Sequence, residues 1–213
     1  MSDYLTSTQS AKILFCLLVW VTAFLFVFKM ASPTSGIYPT IWVFASAILL
    51  LLWLTMRYSK KWAQSLHIIP IPFNWTLIAL LFGLSYWQID QWLMSYLLQT
   101  DRQADITAWQ QNTANYHPIS LFISSVLFAP VFEELVFRGL MLRALLQKAN
   151  GFISVTMTAL LFAAIHLSWP EAISVFAVGL IYGWMTVKSK SLIPALLAHI
   201  THNALTYWQY ASA

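Results

Sequence analysis

Residues 129–139 read Ala-Pro-Val-Phe-Glu-Glu-Leu-Val-Phe-Arg-Gly. Two carboxylates, Glu133 and Glu134, and a guanidinium, Arg138, stand inside 118–142, a stretch otherwise apolar enough to cross a bilayer. Ionisable groups at such depth are costly, which makes each a candidate for function. Glu134 and Arg138 are four residues apart, so on a helix they can pair directly. Glu133 is turned ~100° from Glu134 about the helix axis and can face another partner. Pro130, just before them, kinks or starts this helical segment.

The remainder of the chain supplies the setting for these charges. Of its 213 residues, 60% are hydrophobic and 8% charged, with a mean hydropathy of +0.70. Soluble domains carry roughly 25% charged residues, so this chain cannot clothe a water-facing surface. The same composition excludes intrinsic disorder. The expected fold is all-α, a polytopic transmembrane helical bundle of about seven spans, since crossing the hydrocarbon takes about 20 apolar residues in a helix. The candidate stretches are 11–30, 38–57, 74–98, 118–142, 152–168, 171–187 and 191–210. The third contains Gln88, Asp90 and Gln91 and is expected to break or to leave the bilayer early. No linker or repeat divides the chain, so 1–213 reads as a single membrane domain. The first span is read as a retained anchor: its apolar run is too long for a signal peptide, and Lys29 stands where a small residue would precede a cut at Ala31. Cys16, alone of its kind, allows no intrachain disulfide and no Cys-rich metal site. The net charge of +4 comes without a basic cluster interleaved with aromatics, so nucleic acid is not an expected partner; the lipid bilayer is.

The basic residues orient the bundle. With a cytoplasmic N-terminus, Lys12, Arg57, Lys60, Lys61, Arg143, Lys148, Lys188 and Lys190 fall at cytoplasmic ends, Lys29 and Arg102 fall outside, and Arg138 lies within a span. The C-terminus then ends outside. The expected location is an integral one, in a bacterial plasma (inner) membrane. Asp90, His117 and Glu171 are read as solvated near the outer surface, and 99–117 as an external stretch. Gly179 and Gly183 form a GxxxG pattern, read mainly as packing.

Two further stretches carry polar groups. His166 follows Phe162 by four residues near the end of the fifth stretch, and His199 and Asn203 share one face of the seventh, with His202 at its edge. By helical rise, Glu133 lies ~15 Å and His199 ~12 Å from the cytoplasmic ends of their spans, near the middle of the membrane, with His166 higher at ~22 Å. Each set alone has a plain reading: an ion-pair cluster holding helices together, a packing histidine, an interhelical hydrogen bond. Jointly, two glutamates, two histidines and an amide at compatible depths exceed what such glue requires. They suit peptide hydrolysis, which needs a base for water, donors for the oxyanion and a proton for the leaving amine. Glu133, His166 and His199 are also reasonable zinc ligands, although HExxH is absent. A proton-coupled transporter would use the same residue types.

These residues resemble the motifs of a known family. Glu133-Glu134-xxx-Arg138 is similar to the EExxxR of the CAAX-processing and bacteriocin-processing (CPBP, or Abi) intramembrane endopeptidases, Phe162-xxx-His166 to its FxxxH, and His199-xxx-Asn203 to its HxxxN/D. The resemblance covers roughly 118–205, the expected catalytic core, while 1–117 match as generic spans. It implies that Glu133 and His166 activate water, that His199 and Asn203 stabilise the oxyanion, and that Glu134 and Arg138 form an accessory pair. It implies a membrane-associated protein or peptide substrate and leaves the cofactor open between a divalent metal such as zinc, held by Glu133, His166 and His199, and none. The alternatives are a membrane binding or immunity protein that keeps the site without turnover, and the transporter.

Overall fold

The computed structural model describes residues 3–30, 37–97, 99, 101–166 and 169–213, without the side chains of 25–30, 97 and 169. The chain is helical almost throughout. Helix α1 (Ser7–Met30) starts from a reciprocal cap in which the Thr6 N–H donates to Gln9 Oε1 at 2.9 Å and the Gln9 N–H to Thr6 Oγ1 at 3.2 Å. α2 (Thr40–Tyr58) packs back against it. After one helical turn (Trp62–Ser65), α3 (Phe73–Trp92) runs on as a π-helix over Leu93–Leu97. The stretch expected to be external carries a helix of its own, α4 (Arg102–Thr113), begun where the Asp101 carboxylate accepts the Ala104 N–H at 3.0 Å. α5 (Pro118–Leu146) is the longest. α6 (Gly151–Ala164) is capped by Asn150, whose side chain accepts the Ile153 N–H. α7 (Trp169–Ser189) and α8 (Ile193–Ser212) complete the chain.

Helices occupy all seven stretches expected to span, but among the described residues length and apolarity single out four: α1, α2, α5 and α7. The span count of seven is therefore not supported. α6 has 14 residues, too few to cross. α3 and α8 are long enough but interrupted by polar side chains, Gln88, Asp90 and Gln91 in one and His199, His202 and Asn203 in the other. The chain is an integral membrane protein. Its outer surface agrees: Phe15, Leu49, Trp53 and Phe152 are all more than half exposed, as lipid-facing side chains are. Ala31, the position at which the retained-anchor reading excludes a cut, lies outside the described residues.

Small residues set the closest contacts. A Cβ on Gly183 would lie 2.8 Å from Val155 Cγ1, and one on Gly179 3.2 Å from Ala159 Cβ, so the GxxxG face of α7 lies directly on α6. Gly83 on α3 does the same against α8, where a Cβ would meet the Ala198 carbonyl oxygen and Thr201 Cβ, both at 2.7 Å. Gly83→Val should cost about 1–3 kcal/mol. It should also push α8 outward beside His199, read as a lowered melting temperature of the protein in detergent.

The basic end of the bundle is tied by loops. His67 and Lys190 both have φ of 58°, and the Leu192 N–H donates to the His67 carbonyl at 2.9 Å. Burial, and then the charge of Arg143, hold the His67 ring down at about 4 against its ordinary 6.5. The unfolded chain therefore takes up this proton first as pH falls. The stability carried by the neutral ring is full above about pH 6.5 and drains between there and about pH 4. His67→Asn, which tolerates the left-handed backbone, should flatten this part of the melting-temperature profile; an unaltered slope would remove His67 as the cause.

Candidate active site

The site begins with a break in α5. The Ala129 N–H reaches back five residues to the Ser124 carbonyl, the register of the π-helix over Ile123–Phe128. The next donor in that register would be residue 130, which is proline and has no N–H. The Ser125 carbonyl it would have served is taken instead by Asn203 Nδ2 at 2.9 Å. A side chain of α8 thus completes the backbone of α5 one turn before the two glutamates. A second π-helical stretch, Leu135–Leu142, follows them. Such segments recur at functional sites.

Glu134 and Arg138 are fully buried and pair at 2.9 Å (Oε1 to Nη1). Arg138 Nη2 donates to the Gly179 carbonyl at 3.3 Å, and its guanidinium carbon lies 4.6 Å from the Phe162 ring centre and 5.4 Å from that of Tyr182. The same Glu134 oxygen lies 3.0 Å from His199 Nδ1. Across this contact the ring nitrogen donates and the carboxylate oxygen accepts. The other ring nitrogen, Nε2, lies 3.7 Å from Glu133 Oε2. His199 therefore stands between the two glutamates, held on one side and close to the freer carboxylate on the other.

His166 is not inside a span. α6 ends at Ala164, and His166 lies in the turn after it, its N–H bonded to the Ala163 carbonyl and its Nδ1 2.9 Å from the Phe162 carbonyl oxygen. A carbonyl can only accept, so Nδ1 bears the hydrogen and Nε2 is left as the acceptor. Glu133, His166, His199 and Asn203 all line one cavity of about 740 Å³, together with Tyr182, His202 and the acids of α4. Glu134 and Arg138 stand behind its wall.

Among the described residues, no three His, Cys, Asp or Glu side chains form a group able to hold a metal. Both histidines have Nδ1 engaged, so each could offer Nε2 alone. In this arrangement the donor set does not close around an ion.

A second polar cluster on the same cavity escapes the sequence reading. Asp90, expected to be solvated, is buried: Ser174 Oγ donates to its Oδ1 at 2.5 Å, while Arg102 Nη2 and His202 Nε2 approach its Oδ2 at 3.9 and 4.0 Å. The Tyr86 hydroxyl donates to the Ser174 carbonyl at 2.6 Å. Glu171 and His117 are exposed as expected, His117 capping α5. The signal for Asp90 was present as an acid within a long apolar stretch; its partners lie up to 112 positions away and could not be paired in advance.

Residues 115–205 match the family model described as "Type II CAAX prenyl endopeptidase Rce1-like". Over that segment, less than half of its length, the chain is similar to this family of membrane endopeptidases. It is also 22% identical, over 149 residues, to the protein named "Putative membrane peptidase YdiL" of Bacillus subtilis (strain 168); the match takes in 70% of this chain and 59% of that protein's length. No solved structure matches the chain. The family match contains all three motif stretches and ends two residues past Asn203.

The buried pair gives a direct expectation. Arg138→Leu leaves Glu134 without its cation and should lose about 3–5 kcal/mol of stability. Glu134→Leu/Arg138→Leu should recover part of that loss in a melting assay. Equal losses in the single and double variants would show that the two charges do not depend on each other.

Proposed function

We propose that the protein is an intramembrane endopeptidase, hydrolysing a peptide bond of a membrane-associated protein or peptide. The observation that carries this reading is the convergence of Glu133, His166, His199 and Asn203 on one cavity within the segment that matches the family model. Glu133 takes a proton from water as the oxygen attacks the scissile carbonyl, with His166 Nε2 accepting the water's second hydrogen. The carbonyl π electrons move to oxygen. His199 and the second amide hydrogen of Asn203 donate to that oxyanion, with Glu134 steadying the imidazole ring from the other side. Collapse of the tetrahedral species breaks the C–N bond, and Glu133 passes its proton to the departing nitrogen. Glu134 and Arg138 act as positioning residues. We place the basic end of the bundle on the cytoplasmic side of a bacterial plasma membrane, with the N-terminus there and the C-terminus outside, following the distribution of Lys and Arg.

General base catalysis contributes on the order of 100- to 10,000-fold. Glu133→Gln should lower cleavage of a membrane-anchored peptide in vesicles by that range while leaving the melting temperature close to the parent's, and His166→Ala should lower it in the same direction. Undiminished turnover by either folded variant would sink the assignment. Loss of turnover with full biological complementation by Glu133→Gln would instead favour a binding role without catalysis.

A further inference from the structure

At the basic end of the bundle a second cavity, of about 480 Å³, opens between the loop after α2 and the ends of α5 and α7. Its polar lining is Tyr4, Gln64, His67, Arg143, Thr186 and Lys190, the rest being aliphatic. No carboxylate lines it. The one acid at this end, Asp3, lies 3.9 Å from Lys61 with its side chain 63% exposed, outside the cavity wall.

Among the described residues, no carboxylate pairs with the cations of this cavity. Arg143 donates from Nη1 to the Gln64 carbonyl at 3.3 Å, and its guanidinium carbon lies 5.4 Å from the Tyr4 ring centre; both partners are neutral. Its Nε–H is buried and has no hydrogen-bond partner among the described residues, and the same holds for His67 Nδ1. Buried donors without partners are uncommon and point to a missing acceptor. The walls are also fixed before any ligand arrives. His67 and Lys190 turn their loops through left-handed backbone, and the loops are stitched by the Leu192 N–H on the His67 carbonyl and by Ser191 Oγ on the Ile69 carbonyl at 2.7 Å.

We propose that this cavity binds a phosphate oxyanion, with Arg143 and Lys190 supplying the charge, Arg143 Nε–H a directed donor, and His67 Nδ1 a second one in the tautomer that carries its hydrogen there. A guanidinium matches phosphate geometry, and basic pockets between helix ends at a membrane face take phospholipid headgroups. The same chemistry could come from an anionic phospholipid or from free phosphate. The site is separate from the hydrolytic cavity and does not depend on that reading.

Native mass spectrometry of the full chain in an uncharged detergent, titrated with short-chain phosphatidylglycerol and separately with inorganic phosphate, tests it. One saturable phosphatidylglycerol site is expected. Arg143→Gln and Lys190→Gln should each weaken it about fivefold, the worth of one basic charge at a membrane surface, while Lys148→Gln, a basic change at the same end but outside the cavity, should leave it unchanged. Should Arg143→Gln fail to fold, the exposed Lys190 still carries the test. Displacement of the lipid by inorganic phosphate, with the same variant pattern, assigns the site to the free ion; no displacement assigns it to the headgroup. Unsaturable binding, equal weakening by Lys148→Gln, or binding of neither probe would overturn the proposal.

Discussion

A charge sealed from water must find its opposite within hydrogen-bond reach, and in this protein that requirement falls on Glu134 and Arg138. Both have no exposed surface. Removing one would strand the other, whose desolvation is then uncompensated. Their needs reach three helices beyond α5. Arg138 uses a carbonyl of α7 and lies against an aromatic ring of α6, while Glu134 holds a histidine of α8. The Gly179 carbonyl is reachable because α7 and α6 pack without side chains between them at that position. Packing and charge compensation are thus one arrangement, and His199 takes its orientation from it.

The second constraint is the backbone of α5. A carbonyl without a donor in the membrane interior costs several kcal/mol. Pro130 creates one at Ser125, and Asn203 satisfies it. This gives Asn203 a structural duty beside any part in chemistry: one amide hydrogen is committed to the Ser125 carbonyl, and its side chain still lines the cavity. It also explains why a proline can stand inside a spanning helix, one turn from two acids, without parting the helix there. His166 meets a similar need by a different route, its ring fixed by a carbonyl at the frayed end of α6.

What could be read from the chain alone follows from which interactions are local. The Glu134–Arg138 pair is four residues long and rests on helical geometry. The faces carrying Phe162 with His166 and His199 with Asn203 are local in the same way, and the helical class follows from composition. Contacts made across the bundle were not legible. Asp90 reads as solvated near the outer surface, yet Arg102 at the start of α4 and His202 of α8 approach it from both sides. The acceptor for Asn203 is a backbone atom, and no residue identity announces a free carbonyl. The count of seven spans is not supported for a related reason. A stretch apolar on average can be a helix too short to cross, as α6 is, or one interrupted by polar side chains, as α3 and α8 are; hydropathy weighs composition and does not tell where those polar side chains find partners.

Charge segregation links the two ends of the molecule. Five of the seven acids (Asp90, Asp101, Asp105, Glu133 and Glu171) line the larger cavity, with Arg102 the basic residue among them. Eight of the eleven Lys and Arg residues belong to the opposite end, the exceptions being Lys29, Arg102 and Arg138. A cation placed beside Glu133 would hold its carboxylate in a tight pair and weaken it as a proton acceptor. Arg138 is near enough to do so, but Glu134 stands between and takes the pairing at 2.9 Å. Two adjacent acids on one helix turn therefore divide the labour by direction: one neutralises the cation the fold requires, and the other is left facing the cavity with a histidine nitrogen 3.7 Å away. An aspartate in place of Glu134 would shorten the reach to Arg138 by one methylene and lose this partition even though the charge count is unchanged, so the length of that side chain, as much as its charge, keeps Glu133 available.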